Sequence, residues 1–313
     1  MRSSFRAFAR CLLLLLASIP AFAWDDTGHM VVASIAYNRL TPAAKAKVDR
    51  LMARAKPEPG RWPDRGFVFF CEHRYNPVTI ACWMDDVRDS SLHSNLGEWH
   101  YINYNPLFLG IPADSKIGPA KENILVRIKF ALDELEQRKN FAETNNRTDD
   151  KLSAEAFGYL AHLVGDVHQP LHAATRYTKE RPNGDAGGNG FPITPPVAKG
   201  PENLHAYWDA AAGLFNYTKA ARLPSGKEPP SIRQFVRLVT QTAPDPATLD
   251  WQEADPEEWV KESNRLAREF AYVKLKEKDR PAGAYASEAR RIAAERMLLA
   301  GYRLADALNR IYQ

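Results

Sequence analysis

Apolar positions along this chain recur mostly at helical spacing. Residues 120–138 place Ile124, Ile128, Ala131 and Leu135 along one face, the rhythm of an amphipathic helix. Residues 152–168 repeat that pattern and must stop near Gln169, because Pro170 disfavours helical geometry in the residue before it. Residues 28–40 read as an apolar-rich helix. Thr41-Pro42, a cap followed by a first-turn proline, opens another through Lys56. Segments 202–215, 232–242, 256–275 and 287–312 complete the set. Strand-like alternation is never sustained; Phe67-Val68-Phe69-Phe70 alone suggests a short strand or an apolar loop. The pattern predicts an all-α fold with few or no short strands. Two Pro/Gly-rich connections, 57–82 and 173–201, are long for a compact domain, which marks them as functional or pinned.

The one long apolar run lies at the start. Arg2, Arg6 and Arg10 precede an apolar stretch from Cys11 to Ser18, and Ala21-Phe22-Ala23 forms a cleavage site, the pattern of an export signal. The stretch is short for a membrane helix, so no membrane anchor is expected. Cleavage between Ala23 and Trp24 leaves 290 of the 313 residues, secreted or periplasmic. It also removes three arginines, so the formal charge falls from +4 to +1 and the basic bias belongs mostly to the signal. Hydrophobic residues at 45% and charged residues at 26% are ordinary globular usage, which disfavours disorder and coiled coil. Cys71 and Cys82 remain in an oxidising compartment, predicting one local disulfide, with two free thiols as the alternative. Asn146-Arg147-Thr148 and Asn216-Tyr217-Thr218 match the glycosylation sequon, which matters only in a eukaryotic secretory pathway.

The informative feature is where histidines and aspartates fall. His162 and Asp166 are four apart in one predicted helix and so share a face; His205 and Asp209 repeat the arrangement, and His172 follows the Gln169-Pro170 stop. Each imidazole–carboxylate pair is half of a divalent-metal site, and this donor chemistry suits zinc. One such pair alone is more often a surface hydrogen bond. Leu163, Val164 and Val167 surround the first pair with core residues, however, and burying polar groups without partners is costly.

The segments Trp24-Asp-Asp-Thr-Gly-His29, Cys82-Trp83-Met84-Asp85-Asp86, Trp99-His100-Tyr101, His162 through His172, Asp185-Ala-Gly-Gly-Asn189 and Asn203-Leu-His205-Ala-Tyr-Trp-Asp209 stand in one order. In that order the chain resembles the zinc-dependent, single-strand-specific nucleases of the S-one/P-one type, which are related in fold to the bacterial zinc phospholipases C. The matching segments span residues 24–209, which argues for one catalytic domain, 24–313, after a 1–23 signal.

The resemblance implies a trinuclear zinc cluster within a single multi-helix domain. One ion is held by Asp85, His100 and His162, with Asp166 bridging to a second. The second takes Asp166, His29 and the α-amine and carbonyl oxygen of Trp24, and the third His172, His205 and Asp209. An α-amine can shed its proton to a metal near neutrality, so removing residues 1–23 creates a ligand. His73, His93 and His168 are left as solvated or structural. The implied reaction is endonucleolytic hydrolysis of single-stranded DNA and RNA to 5′-phosphate products, with 3′-nucleotidase activity, by a hydroxide held between two zincs. Tyr101 stands where the family carries a base-stacking aromatic, a core tyrosine beside a ligand being the alternative. Arg88 matches a phosphate-stabilising arginine, against a surface salt bridge to Asp89. Asn103 replaces an aspartate that in relatives orients the attacking water, and Ala210 replaces a polar base-reading group. Asp185, Gly187, Gly188 and Asn189 are expected to support the metal cluster, with Asn189 also near substrate. A zinc phospholipase C is the rival enzyme, although it carries Glu where Asp209 stands. A secreted zinc-binding protein without catalysis is the rival from another class.

Overall fold

The computed structural model describes residues 24–54, 76–89, 96–114, 116–145, 150–221 and 227–313. Helices dominate these residues, as the apolar spacing predicts. The first, α1 (Asp26–Asn38), starts where Asp25 accepts hydrogen bonds from the amides of Thr27 and Gly28. Those are amides that a helix start leaves without intrahelical partners. Every residue from Thr27 to Ala36 is buried, so α1 is a central helix rather than an amphipathic surface one. It is followed by α2 (Pro42–Arg54), α3 (Trp83–Asp89), α4 (Ile124–Asn145), α5 (Asp150–Val167), α6 (Leu204–Asp209), α7 (Ile232–Thr242), α8 (Pro256–Leu266) and α9 (Gly283–Ile311).

Ile124, Ile128, Ala131 and Leu135 are all fully buried, and the face they form on α4 packs along α5. The long C-terminal α9 packs along α1, so the two ends of the described chain share one core. No described helix is long and apolar enough to cross a membrane.

Several expected boundaries move, among them that of the helix expected over 120–138, which spans 124–145. The helix expected over 202–215 ends at Asp209, and Ala211 and Ala212 take φ values of 52° and 53°. Left-handed backbone at alanine costs about 1–2 kcal/mol per residue. Burial of Leu214 and Phe215 in the main core offsets it, so tertiary packing overrides a run of good helix formers. The helix expected over 256–275 becomes α8 followed by a π-turn at Ala267–Ala271. Ala267, Ala271 and Tyr272 thereby join a second apolar cluster with Phe191, Tyr207 and Trp208. The last helix starts at Gly283, four residues before its expected start.

Two three-residue strands, β1 (Leu107–Leu109) and β2 (Arg176–Thr178), pair in parallel with Phe108 opposite Tyr177. They pin the start of the long 173–201 connection. Its centre is pinned by Asp185, which accepts from the amides of Arg176 and Gly188, from Arg176 Nε and from the Tyr272 hydroxyl. Lys56, residues 67–70, Cys71, His73, His93 and Asn146 lie outside the described residues, so the expected strand and the Cys71 partner of the expected disulfide do too. Cys82 is fully buried, its Sγ 3.6 Å from Asp26 O, and Asn216 is exposed in a turn. The segments that carry the histidines contribute to both apolar clusters: Trp24, Leu163 and Ala173 to the first, Leu171 and Leu204 to the second.

Candidate metal centre

Five parts of the chain converge on the C-terminal end of α5. His29 sits in the first turn of α1, and Trp24 just before it is buried with Nε1 donating to Gly165 O at 2.8 Å. Gly165 makes this possible: a Cβ there would lie 2.9 Å from His29 Nδ1. Asp85 comes from α3, His100 from a 3-10 turn at Leu96–His100, and His172 from another at Pro170–Ala173. His205 and Asp209 come from α6, started by Asn203, whose side chain accepts from Ala206 N.

Three donor groups result among the described residues: His29, His162 and Asp166; Asp85, His100 and His162; and His172, His205 and Asp209. All are buried, and within each group the donor atoms lie within 4.8 Å of one another. Asp166 faces two ways. Its Oδ1 is 3.2 Å from His29 Nε2, while Oδ2 is 2.9 Å from His100 Nδ1 and 3.1 Å from His162 Nε2. Asp85 Oδ1 stands 3.9 Å from His100 Nδ1. In the third group, Asp209 Oδ1 is 4.0 Å from His172 Nε2 and Oδ2 is 3.5 Å from His205 Nε2.

Main-chain carbonyls set the tautomers. His162 Nδ1 donates to Ala81 O at 2.6 Å, His172 Nδ1 to His100 O at 2.6 Å, and His205 Nδ1 to Gly187 O at 2.7 Å. A carbonyl only accepts, so each Nδ1 carries a proton and each Nε2 is turned toward the carboxylates. Gly187 has φ +64°, and a Cβ there would meet Leu171 O at 2.7 Å, so only glycine brings this carbonyl to His205. Asp185, Gly187 and Gly188 therefore support the site through loop geometry. Asn189 Nδ2 donates to Ala186 O in the same turn.

The donor set fits a divalent cation. His29 Nδ1 and Nε2, Asp166 Oδ1 and His172 Nε2 are buried with no hydrogen-bond partner among the described residues. Leaving such atoms unpaired costs about 1–3 kcal/mol each, which a metal ion bound between them removes. Electrostatics agree. Burial pulls His162 down, but Asp166 and Asp85 outweigh it and hold its pKa up at about 9; the pocket demands positive charge at that nitrogen. Burial opposes ionisation of Asp166 as well, yet the charge on His162 and hydrogen bonds from His100 and His162 keep it far below the usual carboxylate range. Asp209 has no imidazole as close, and burial pushes it well up. Burial likewise lowers His29, and takes His172 down to about 3.

Eight of the nine expected ligand residues thus fall into the three groups, and Trp24 packs beside them through its indole on Gly165. Tyr101, beside His100, is 39% exposed, which excludes the core-tyrosine alternative. Asn103 Oδ1 accepts from the Thr175 hydroxyl at 2.5 Å. Arg88 lies on α3, with its side chain outside the described residues. His168 is fully buried, which corrects the solvated alternative. Its Nδ1 donates to Val164 O and its Nε2 accepts from Arg303, so it is structural. Sequence spacing missed Gln169, Thr175, Arg176 and Tyr272, which touch ligands or the loops that carry them. Only Gln169 left a trace, as half of a helix stop.

The S1/P1 Nuclease family pattern matches residues 24–313. Endonuclease 2 of Arabidopsis thaliana is 26% identical over 320 residues, covering 96% of this chain and 94% of its own. Endonuclease 1 of the same plant is 24% identical, covering 100% of this chain and 96% of its own. Nuclease S1 of Aspergillus oryzae is 24% identical, covering 95% and 94% respectively.

Proposed function

Because the chain belongs to the S1/P1 nuclease family and is a hydrolytic nuclease, we propose that it cleaves single-stranded DNA and RNA endonucleolytically to 5′-phosphate products, with 3′-nucleotidase activity, using three zinc ions. The observation that carries this reading is the buried convergence of Asp85, His100, His162, Asp166 and His29 beside His172, His205 and Asp209.

In this reading Asp85, His100 and His162 hold one ion and His172, His205 and Asp209 another. Asp166 would join the first and a third, the third shared with His29 and with the α-amine and carbonyl of Trp24. When bound, the ions supply Lewis-acid charge for phosphate oxygens and activate water for attack on phosphorus.

The chain's own side chains do the rest. Asp166 ties two sites to one rigid helix, so their spacing does not depend on loops. The carbonyls of Ala81, His100 and Gly187 hold three imidazoles in the tautomer that leaves Nε2 available. Tyr101 offers an exposed ring on which an unpaired base can stack, which a base inside a duplex cannot do. Arg88 is assigned to the phosphate. Asn103, an amide, cannot take a proton from water, so its part is orientation through the Thr175 hydroxyl. Residues 24–313 act as one catalytic domain, exported to the periplasm or the exterior with a Cys71–Cys82 disulfide.

The test is an assay of the mature, zinc-loaded protein on single-stranded DNA, RNA, 3′-AMP and phosphatidylcholine, with and without chelator. Hydrolysis of the first three, abolished by chelation and restored by zinc, is expected. Lipid cleavage alone, or nuclease activity indifferent to chelator, overturns the reading. A variant retaining residues before Trp24 should lack one metal equivalent; full zinc content there removes the terminal-amine assignment.

A further inference from the structure

We propose that Gln169 is the positioning residue of the His172–His205–Asp209 group, binding the two chain segments that supply it into one geometry. The inference rests on reading that group as a metal site.

Gln169 is fully buried on the turn between α5 and Pro170. Its Oε1 accepts from the Leu171 amide at 2.6 Å, capping the 3-10 turn that presents His172. Its Nε2 donates to Asp209 Oδ1 at 2.8 Å, reaching a residue 40 positions away on α6. One amide therefore fixes both the turn behind His172 and the rotamer of Asp209.

The other members of the group are fixed differently. His172 and His205 are each anchored by main chain, through His100 O and Gly187 O. Asp209 is oriented by a side chain. With Oδ1 engaged by Gln169, Oδ2 is the oxygen turned toward His205 Nε2 at 3.5 Å. Around Asp166, His100, His162 and His29 crowd the carboxylate directly.

The chemistry of the position singles out glutamine. It needs an acceptor for Leu171 N–H and a donor for a carboxylate on one planar group. Glutamate keeps the acceptor, loses the donor and sets a like charge against Asp209. Methionine keeps the approximate shape and loses both bonds.

The experiment compares wild type, Gln169→Met and Gln169→Glu as mature proteins. Zinc equivalents are counted by mass spectrometry after dialysis, and each is titrated against a competing chelator. Unfolding is followed in excess chelator to compare the metal-free folds. Wild type should retain three equivalents. The variants should release one of them about 10–100-fold more readily, the range typical for loss of a ligand's hydrogen-bond partner. Their other two equivalents should be held as in wild type, with Gln169→Glu the weaker of the two variants. Unchanged affinity for all three equivalents overturns the positioning role. So does parallel loss of all three, which marks a general structural part. Fewer than three equivalents in wild type overturns the metal reading itself, and this inference with it.

Discussion

Two buried clusters of charged and polar side chains meet the C-terminal end of α5. In one, His162 and Asp166 meet His29, His100 and Asp85. In the other, Ser263 Oγ donates to Val167 O, Arg296 Nε donates to His168 O, and Arg303 donates to His168 Nε2. Glu262 closes the second cluster, accepting from Arg296 once and from Arg303 twice at 2.6–2.8 Å. Arg296 and Arg303 are 2% and 1% exposed. Two cations face the negative end of a helix, and one carboxylate between them balances part of their charge.

The clusters differ in how their polar atoms are satisfied. In the arginine cluster nearly every donor has its acceptor, and His168 stays neutral because burial, then Arg296 and Arg303, drive its pKa far down. In the histidine cluster several buried nitrogens and oxygens have no hydrogen-bond partner among the described residues. A satisfied buried network holds a fold, whereas an unsatisfied one marks a place where something binds. The same helix end is clamped by one cluster and left hungry for charge in the other.

Substitutions in the two clusters should separate these roles. Asp166→Asn carries the largest expected effect. It should cost more than the ~100-fold in metal affinity that bounds indirect partners and abolish single-strand cleavage, while the metal-free protein still folds. Metal content and circular dichroism check this, and a variant with full zinc and near-normal turnover would refute it. Arg303→Met should do the reverse. It removes two of the three arginine hydrogen bonds to Glu262 and the donor to His168 Nε2, at about 1–3 kcal/mol for each group left short of a partner, read as a shift in urea unfolding in excess chelator; a loss under about 1 kcal/mol would dissolve the contrast.

Glu262 sharpens the contrast through pH. Burial would raise its pKa, but Arg303 and Arg296 outweigh that and hold it at about 2, against 4.5 ordinarily. A depressed acid stabilises the fold fully above its unfolded value and loses that contribution as pH falls toward the folded value. Metal-free stability should therefore decline between pH 4.5 and 2 by about 3 kcal/mol from this group. Glu262→Gln should lack that part of the slope, and an identical slope in both proteins would count against the network. The smallest effect is expected from Tyr101→Ala. Losing one stacking ring is worth about 1–3 kcal/mol, appearing as a raised KM for single-stranded DNA with zinc content unchanged.

The two clusters were not equally legible. The i,i+4 pairs His162/Asp166 and His205/Asp209 announce shared helix faces, and the family resemblance supplied His29, Asp85 and His100. Nothing in the spacing announces Arg296, Arg303 or Glu262. On α9 these arginines look like ordinary polar positions, and their pairing partner lies more than 30 residues earlier. The helix expected over 120–138 was readable for the same local reason, its buried face recurring within each turn, although it runs on to Asn145. The break after Asp209 was not, since Ala210-Ala211-Ala212 favour continuing a helix until the burial of Leu214 and Phe215 is counted.

By itself the sequence determined the features that neighbours within a few residues dictate: the helical periodicity, the stop before Pro170, the paired donors and the order of motifs. Tertiary structure alone decided which oxygen of Asp166 faces which histidine, that His168 is buried against arginines, and that Gln169 reaches Asp209. Those outcomes depend on packing between segments distant in the chain, where burial turns a hydrogen bond or an unpaired lone pair into a term that outweighs local preference.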